Sequence, residues 1–567
     1  MLFQWVFKPP APREGIAAIQ KEFNISPILA QLLLDRKLDS IDKITAFFNP
    51  SLTQLHDPYR MLDMEKAVQR IIAALRDGEN ILIYGDYDVD GTTGVSLLYE
   101  ALFKLGGKVS FYIPNRITDG YGLSMDGIHI AESRKVSLII TVDCGITAVE
   151  EVEFADSKGI DVIICDHHEP AQNLPQAYAV LDPKVKGCPY PFKELAGVGV
   201  AFKLLQALYL KLGYTIEDLI PFLDLVAIGT AADIVPMLDE NRILVKYGLE
   251  RVNAQPRHGI FALLESSSLL GRELDVSLII FVLAPRINAV GRMSAAKKAV
   301  HLMTSSSLQQ SRNIARVLES ENKMRRGIDE STYTEAIQLA EDQICKGAKI
   351  LVLAKEGWHP GVIGIVASRI MEKFNRPTIL ISLREGIGKG SARSTTNFNM
   401  YQALKGIEHL LDNFGGHKFA AGLTVQEDNI DFLREEMQKI TEELISKEDL
   451  VPTLVVESEI LLNEFDASFL KWLKHFAPFG PQNMRPVFVT RRIEIAGDVQ
   501  VVGSNHLKFK VKSNGIVIDA IAFNFAEMRD KIKPSRQLID AAYVIEENTW
   551  NGRTTVQMRI KDIKLID

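Results

Sequence analysis

Short apolar runs alternate with stretches of helical periodicity between residues 81 and 181. The spacing predicts helices over Thr93–Leu105, Ile128–Ser133 and Thr147–Lys158. Near-continuous apolar strands that alternate with helices indicate a parallel sheet covered on both faces, and ligands bind such sheets beyond the carboxyl ends of the strands. The predicted strands are Ile81–Tyr84, Val109–Ile113, Leu138–Val142, Val162–Cys165 and a shorter candidate at Val180–Leu181.

Acidic residues and histidines directly follow three of these strands. Because the carboxyl ends of parallel strands meet at one edge of a sheet, we expect these side chains to converge. A solvated acidic loop for the first cluster, or a surface turn for the histidine pair, is the alternative. Asp233, at the end of an apolar helix in Gly229–Pro236, is a further candidate. The residues after the strands are Asp86, Asp88, Asp90, Asp143, Asp166, His167 and His168.

Carboxylate and imidazole ligands together suit Mn²⁺, and Mg²⁺ with fewer direct ligands. Three acids at every second position in an extended turn repel one another unless a cation neutralises them. A set of this size can hold two ions, the arrangement that displaces an oxygen at phosphorus. The sequence therefore predicts a divalent-metal site at this edge of the sheet.

Residues 197–310 are predicted to be mostly helical, beginning with the amphipathic stretch Val198–Leu210. Pro285–Arg292 interrupts the pattern with two arginines near a glycine. Such a segment can clamp phosphate, and an exposed loop with ordinary ion pairs is the equal alternative. Residues 311–345 combine an apolar stripe with surrounding charge, which predicts a long connecting helix and a domain boundary.

A second α/β unit is predicted from Lys349, with strands Ile350–Leu353 and Thr378–Ile381 around the helix Val362–Phe374. Two glycine-rich stretches follow, Gly388–Ser394 and Gly415–Gly422. Glycine lets backbone N–H groups approach an anion, so we expect loops that bind phosphate, although tight turns also explain such stretches.

Short alternating strands predominate after Val451, and about five of them suggest a small β-barrel of the oligonucleotide-binding type. Phe509 between Lys508 and Lys510 suits stacking on a single strand, although alternating phenylalanines more often form a core. The predicted domains are 1–50 (a helical lead-in), 51–310 (the parallel-sheet unit), 311–346 (the connecting helix), 347–450 (the second α/β unit) and 451–567 (the β-barrel). The candidate strands are Val487–Ile495, Leu507–Val511, Ile516–Phe523, Ile539–Ile545 and Thr554–Ile563, with a tight turn at Asn551-Gly552.

Composition narrows the class of protein. Of the 567 residues, 47% are hydrophobic and 24% charged, the balance of a globular protein with several cores. No apolar run approaches the roughly 18 residues that span a bilayer, residues 1–10 lack a signal-peptide layout, and the four cysteines lack metal-type spacing. These features fit a protein of the reducing cytoplasm without a membrane partner. The net charge of −7 argues against a bulk polyanion binder.

Taken together, these motifs resemble the DHH phosphoesterase superfamily, and within it the single-strand-specific 5′→3′ exodeoxyribonucleases. The resemblance runs from about residue 50 to the end, through the motifs already named and Gly357–Arg369. It implies an α/β multidomain fold: a parallel-sheet DHH domain, a long connecting helix, an α/β DHHA1 domain and a C-terminal β-barrel with the OB-fold. Because the chain ends soon after the barrel, we expect the short form of the family.

The resemblance also implies roles for individual residues. Asp86, Asp88, Asp90, Asp143, His167 and Asp233 are expected to hold Mn²⁺ or Mg²⁺, as two ions, with His168 as a ligand or its partner. Tyr84 stands where many members have a histidine, so no ligand is expected there. Arg116, Ser391 and Arg393 are expected to bind the terminal 5′-phosphate, and Arg286, His359 and His417 to line the DNA path.

The implied activity is metal-dependent hydrolysis of single-stranded DNA from the 5′ end, releasing 5′-mononucleotides in recombination and repair. The implied partners are a RecQ-type helicase and a single-strand-binding protein, and the chain is expected to be a monomer. Two alternatives remain: a small-molecule phosphodiesterase or pyrophosphatase of the same superfamily, and a non-catalytic DNA-binding relative.

Overall fold

The computed structural model describes residues 3–115, 120, 122–293, 296–503, 505–532, 538–550 and 553–566. The chain folds into two compact units. The central unit comprises Arg36–Lys323 and Leu473–Met484, and the terminal unit comprises the residues up to Asp35, Met324–Trp472 and the residues from Arg485. Each unit is therefore built from segments that lie far apart in the sequence.

The terminal unit begins with a strand that the sequence pattern did not predict. β1 (Gln4–Phe7) pairs in parallel with residues 453–456, and α1 (Arg13–Phe23) and α2 (Pro27–Asp35) follow. Trp5 donates from Nε1 to Asp562 at 2.8 Å. A four-residue strand without alternating burial leaves no clear period in the sequence, and its pairing depends on a distant segment of the chain.

The central unit is organised around a five-stranded parallel sheet with the order β3-β2-β4-β5-β6. β2 is the first of these strands in the sequence, and β3 and β4 lie on opposite sides of it. The elements are α3 (Ile41–Phe48), α4 (Met64–Asp77), β2 (Asn80–Gly85), α5 (Val89–Lys104), β3 (Lys108–Tyr112), α6 (Met125–Ser133), β4 (Val136–Val142), α7 (Val149–Ser157), β5 (Asp161–Cys165) and β6 (Ala179–Leu181).

Strand order reverses at β2, so a crevice opens beyond its carboxyl end, and this is where open α/β sheets bind ligands. Ile81–Tyr84 in β2 are completely buried, as are their neighbours in β4, which explains the continuous apolar runs in the sequence. The predicted parallel sheet is confirmed.

Helices complete the central unit. α8 is buried from Gly197 to Tyr209, rather than along one face as an amphipathic helix would be, because other helices cover its outer side. The helices are α8 (Gly197–Lys211), α9 (Leu223–Ala232), α10 (Asp239–Ala254), α11 (His258–Ser266), α12 (Val276–Leu278), a π-helical turn (Ile279–Leu283), α13 (Ala284–Met293) and α14 (Lys297–Thr304).

The long helix α15 (Leu308–Cys345) is present as predicted and runs through parts of both units. It leads into a mixed sheet of the order β10-β11-β9-β8-β7, in which only β7 and β8 are parallel. The elements are β7 (Leu351–Glu356), α16 (Ile363–Phe374), β8 (Thr378–Arg384), β9 (Ile387–Arg393), α17 (Met400–Gly406), β10 (Asn413–Gly416), β11 (Ala420–Gln426) and α18 (Ile430–Leu444).

The two glycine-rich stretches are strands and not the loops that the sequence suggested. Gly388–Arg393 lies within β9, between β8 and β11, and Gly415–Gly422 forms the hairpin of β10 and β11. A Cβ at Gly390 would lie 2.7 Å from Leu423 Cγ. Close packing between neighbouring strands therefore accounts for this glycine.

The predicted barrel closes, because β14 pairs with both β15 and β17 in the ring β14-β15-β16-β18-β17. The elements that precede the barrel are β12 (Thr453–Val456), β13 (Ser458–Glu459) and α19 (Ala467–Lys474). The barrel strands are β14 (Phe488–Val502), β15 (His506–Ser513), β16 (Ile516–Phe523), β17 (Leu538–Trp550) and β18 (Arg553–Ile566). The turn predicted at Asn551-Gly552 lies outside the described residues. All five predicted strands are present.

Candidate active site

A row of four aspartates crosses the carboxyl edge of the central sheet. Gly85, Val142, Cys165 and Leu181 are register partners in β2, β4, β5 and β6. The next residue after each is an aspartate: Asp86, Asp143, Asp166 and Asp182. The ladder continues into the row, because Asp143 N donates to Cys165 O at 2.9 Å and Asp166 N donates to Leu181 O at 3.0 Å. Sheet register thus sets the spacing of the acids.

The Asp-rich turn after β2 adds two more carboxylates to this edge. Asp88 caps α5, and its Oδ1 accepts from Gly91 N at 3.0 Å. The buried side chain of Asp90 accepts at both oxygens, from Gly197 N at 2.6 Å and from Val198 N at 2.9 Å. Asp90 therefore caps the amino terminus of α8 and fixes this helix against the turn.

Two glycines leave the room that this arrangement needs. A Cβ at Gly197 would lie 2.7 Å from Asp143 Cβ and 2.9 Å from Asp90 Oδ2. A Cβ at Gly229 would lie 2.3 Å from Thr93 Oγ1 and 3.0 Å from Asp90 Oδ1. The shortest approach at each position is closer than real Cβ contacts, so a larger residue at either position displaces its neighbours at the site.

The histidine pair is oriented by Asp166. Asp166 Oδ1 accepts from His167 N at 2.8 Å and lies 2.7 Å from His168 Nδ1, while Oδ2 accepts from Ile146 N at 3.0 Å. His167 turns towards the row, with Nε2 3.1 Å from Asp143 Oδ1 and 3.6 Å from Asp233 Oδ2. Asp166 thus holds the Nδ1 side of the His168 imidazole, and a carboxylate of this kind commonly orients a histidine at a metal site.

Three overlapping groups of side chains can each offer ligand atoms within 4.8 Å of one another. They are Asp86, Asp88 and Asp143; Asp143, His167 and His168; and Asp90, His167 and Asp233. Asp143 and His167 each belong to two groups. Asp233 Oδ2 is buried, and no donor among the described residues comes within hydrogen-bonding distance of it. A hard cation fits this set of oxygen and imidazole ligands.

Burial changes the protonation of the cluster. Burial, together with the charges of Asp233 and Asp88, raises the pKa of Asp90 well above its usual value. Burial and the charge of Asp90 likewise raise the pKa of Asp143, and burial with the charge of Asp88 raises the pKa of Asp233 to about 7. Burial lowers the pKa of His167 to about 3, so this imidazole is neutral near pH 7. The carboxylates retain protons that a divalent cation would displace.

Hydrogen bonds of Asn241 and Met237 fix the loop that carries Asp233. Asn241 Nδ2 donates to Pro236 O at 3.0 Å and to Glu194 O at 2.6 Å. Met237 is buried, and its N donates to Pro481 O at 2.8 Å. The segment Leu473–Met484 therefore supports the Asp233 loop within the central unit.

Two buried arginines hold this segment in place. Arg242, with 3% of its surface exposed, donates to the carbonyl oxygens of Phe476, Pro478 and His475, and to Phe47 O. Arg36 donates from Nε to Asn483 Oδ1 at 2.8 Å. Carbonyl groups rather than carboxylates thus compensate for the burial of Arg242.

The segment Pro285–Arg292 is helical, which corrects the prediction of an interruption. It lies in α13, which continues from the π-helical turn. Arg286 donates from Nε to Glu319 Oε2 at 2.6 Å and from Nη1 to Val282 O at 2.7 Å. Arg286 therefore forms an ordinary ion pair, one of the two alternatives that the sequence left open.

In the terminal unit, Ser391 and Arg393 lie together beside the amino terminus of α16. Arg393 Nη1 lies 3.1 Å from Ser391 Oγ, and Nε donates to Ser368 Oγ at 3.1 Å. A Cβ at Gly364 would lie 3.0 Å from Ser391 Oγ and 3.1 Å from Arg393 Nη2, so backbone and side-chain donors approach closely. Donors of these types favour an anion such as phosphate.

The remaining predicted residues occupy different settings. His359 is half-buried, its Nδ1 accepts from Gly361 N at 3.0 Å, and burial lowers its pKa. His417 is exposed on the β10–β11 hairpin. Arg116 lies outside the described residues. Phe509 is buried in the barrel while Lys508 and Lys510 are exposed, which corrects the prediction that Phe509 stacks on bases.

Sequence reasoning missed several groups at this site. Asp182 follows the short strand β6, and that position alone could have indicated it. The capping of α8 by Asp90 and the support from Leu473–Met484 depend on contacts between distant segments, so no local pattern indicates them.

Family models match three parts of the chain. The DHH family N-terminal domain matches residues 80–230, the DHHA1 domain residues 347–443 and the RecJ OB domain residues 456–562. Together with the parallel sheet and its row of acids, these matches define a protein of the DHH class.

The chain belongs to the RecJ family. It is 38% identical over 563 residues to the single-stranded-DNA-specific exonuclease RecJ of Bacillus subtilis (strain 168), covering 99% of this chain and 70% of that protein. The crystal structure of RecJ from Thermus thermophilus in complex with Mn²⁺ superposes with a TM-score of 0.85 at 28% identity, over 100% of this chain and 80% of that one. The structure of the same protein with Mg²⁺ gives a TM-score of 0.79 at 27% identity, over 100% and 79% of the two chains.

Among the described residues, every helix is too short or too polar to cross a bilayer.

Proposed function

We propose that this chain hydrolyses single-stranded DNA from the 5′ end and releases 5′-mononucleotides, with Mn²⁺ or Mg²⁺ as cofactor. The observation that carries the proposal is the row of acids with its three overlapping ligand groups. It occurs in a chain that is similar along 99% of its length to a single-stranded-DNA-specific exonuclease, and in a fold shared with RecJ structures bound to Mn²⁺ or Mg²⁺.

We assign the ligands from the hydrogen bonds of each side chain. Asp86, Asp88 and Asp143 would hold one ion, and His167 and Asp233, beside Asp143, would hold the other. Asp90 positions α8 through both of its oxygens, and with His167 and Asp233 it also forms one of the groups that could hold an ion. The residues present therefore fit a centre that would hold two ions.

Bound divalent ions supply a nucleophilic water near neutral pH and neutralise charge on the phosphate. A side chain of the protein supplies the proton that the departing oxygen needs. Although burial alone would lower it, the hydrogen bond to Asp166 raises the pKa of His168 above its usual value. The raised pKa favours the protonated form of His168, whose Nε2 can donate a proton to the departing 3′ oxygen as water bonds to phosphorus. His167 stays neutral as a ligand.

The direction of cleavage follows from how the strand end is held. We propose that Ser391 and Arg393, with Arg116, bind the terminal 5′-phosphate, and that Arg286, His359 and His417 contact the strand. Breaking the bond between phosphorus and the 3′ oxygen of the first nucleotide leaves a new 5′-phosphate on the shortened strand. The same phosphate site then accepts the product of each round, so hydrolysis proceeds 5′→3′.

The barrel offers a basic strand for the incoming DNA. Lys508, Lys510 and Lys512 are exposed at alternate positions of β15, and the ring of His506 at its start lies 4.9 Å from that of Phe523 on β16. Alternating cations beside an aromatic pair suit the backbone and bases of a single strand. We place the nucleic-acid contact on this outer face, since Phe509 is in the core.

The test is a comparison of substrates in the presence of Mn²⁺. Single-stranded DNA carrying a 5′-phosphate, the same strand with a 5′-hydroxyl, duplex DNA and pyrophosphate are each incubated with the protein. We expect mononucleotides from the phosphorylated single strand first, and slower release from the 5′-hydroxyl strand. Consumption of pyrophosphate alone would assign a small-molecule phosphodiesterase, and DNA binding without hydrolysis would assign a non-catalytic relative.

We further propose that the protein acts in the cytoplasm as a monomer, beside a RecQ-type helicase and a single-strand-binding protein. Cys144, Cys165, Cys188 and Cys345 are free thiols, as a reducing compartment requires. The helicase and the single-strand-binding protein rest on the family likeness. Co-elution of the purified chain with each of them in gel filtration would test both partners and the monomeric state.

A further inference from the structure

Ile234 has an unfavourable backbone conformation. Its φ is +63°. Fourteen described non-glycine residues have positive φ, and Ile234 is the only β-branched residue among them. A branched Cβ crowds the backbone in this region, which asparagine, aspartate and glycine tolerate far better. Local conformation therefore disfavours isoleucine at this position.

Packing does not compensate for the strain. The side chain of Ile234 is 58% exposed, so most of its apolar surface remains in water. Ala231 and Met237, three positions away on either side, are buried. Strain that persists at an exposed residue beside a functional site indicates a role in that site.

The loop displays Ile234 rigidly at the row of acids. Asp233 N donates to Gly229 O at 2.9 Å, and Asn241 and Pro481 hold the far side of the loop through Pro236 and Met237. Consecutive Cα atoms are about 3.8 Å apart, so Ile234 directly adjoins the residue whose Oδ2 lies 3.6 Å from His167 Nε2. The Cα of Ile234 therefore lies beside the row of acids, and its exposed surface is available to a molecule bound there.

We propose that Ile234 is a substrate-contacting residue that packs against the deoxyribose or base of a nucleotide flanking the scissile phosphate. These are the apolar surfaces that a nucleic acid offers next to a phosphate group. The inference rests on the proposed function and adds a specificity-determining contact to it. It explains why an exposed, strained isoleucine adjoins Asp233, because bound DNA covers the apolar surface that is exposed in the free protein.

The test uses Ile234→Asn, since asparagine tolerates positive φ but removes the apolar surface. We expect the KM for 5′-phosphorylated oligothymidylate to rise about tenfold, as loss of one partly buried aliphatic side chain implies. The kcat should stay within about twofold. Affinity for Mn²⁺ alone, measured by calorimetry without DNA, should be unchanged. Because the substitution relieves strain, the Tm should not fall.

Two further variants complete the test. Ile234→Val keeps a β-branched apolar side chain and should retain most of the affinity for DNA. Lys135→Asn is the matched control, because Lys135 has φ +53° and is exposed in the turn before β4, at the opposite edge of the sheet. It should leave KM unchanged.

The outcomes separate this inference from the function on which it rests. An unchanged KM in Ile234→Asn would show that the side chain does not contact DNA. Weaker Mn²⁺ binding together with a lower kcat would show that Ile234 acts through Asp233, which also contradicts the inference. Failure of the unsubstituted protein to hydrolyse DNA despite binding Mn²⁺ would instead remove the proposed function.

Discussion

Asp143 Oδ1 and His167 Nε2 lie 3.1 Å apart, although 24 positions separate the two residues. The pairing of Val142 with Cys165 in adjacent strands brings them together. We predict that Asp143→Ala lowers hydrolysis of single-stranded DNA by about a thousandfold or more, since Asp143 belongs to two of the three groups that could hold an ion. Binding of the same strand, measured by fluorescence anisotropy, should remain.

Asp161→Ala is the matched control, because Asp161 begins β5 at the opposite edge of the sheet and pairs with Arg70. It should leave hydrolysis intact. Normal turnover by Asp143→Ala would refute the metal assignment.

Gly197→Ala should disrupt the site through its close neighbours. The added methyl group would meet Asp143 Cβ at 2.7 Å and Asp90 Oδ2 at 2.9 Å. We expect weaker Mn²⁺ binding and a Tm lower by several degrees, because the cap of α8 must move. Gly199→Ala on the same helix meets the flexible side chain of Leu195 at 3.3 Å and should be tolerated. Equal effects of the two substitutions would argue against a positioning role for Asp90.

Stability and metal binding should depend on pH in opposite directions. Burial raises the pKa of Asp233 to about 7, against about 3.9 in an unfolded chain. The metal-free folded protein thus holds a proton that the unfolded chain releases, so its stability falls as pH rises between these values. Mn²⁺ displaces this proton, and its affinity should rise by up to about tenfold per pH unit in the same window.

Thermal unfolding in EDTA and in Mn²⁺ between pH 5 and 8 measures both effects. In Asp233→Asn the pH dependence of the metal-induced rise in Tm should flatten. A metal-induced rise in Tm that is independent of pH in the unsubstituted protein would contradict the assignment of Asp233 as a ligand.

Arg242→Gln should destabilise the central unit. The substitution leaves buried carbonyl groups of Phe476, Pro478 and His475 without the guanidinium, a loss of about 3 kcal/mol or more. Urea unfolding measures the change. Arg312→Gln breaks a half-exposed pair with Glu265 and should cost less than about 1 kcal/mol. Equal losses in the two variants would show that the hydrogen bonds from Arg242 to these carbonyl groups stabilise the protein no more than an exposed ion pair does.

The barrel lysines should govern the salt dependence of binding. Replacing Lys508, Lys510 and Lys512 with glutamine removes up to three phosphate contacts from β15. The slope of log affinity against log salt should decrease by about 2, at roughly 0.7 per phosphate for a single strand. Turnover of a short oligonucleotide at saturation should not change. An unaltered slope would place the DNA elsewhere on the protein.

The sequence contained enough information to predict the parallel sheet and most of the acids. Residues 81–84 and 138–142 are apolar with little interruption, and an aspartate follows the end of each strand. Strand order then brings Asp86 and Asp143 together, because neighbouring parallel strands share one edge. Asp233 was found from its position at the end of an apolar helix.

Other features had no local signal. Gly390 is glycine because Leu423 packs on it from the neighbouring strand, and such packing looks like a flexible loop in the sequence. Arg286 is paired with Glu319, which lies on another helix. Phe509, by contrast, had a local signal, because it faces the barrel core as alternation within a strand generally favours.

The central unit includes Leu473–Met484 as well as Arg36–Lys323. A fragment that stops at Lys323 would consequently be an incomplete domain, with the guanidinium of Arg242 facing an empty groove. Producing the hydrolytic part by itself calls for a synthetic peptide of residues 473–484, or for joining that segment to the fragment through a short linker. Loss of residues 473–484 should therefore lower activity even if every acidic side chain is retained.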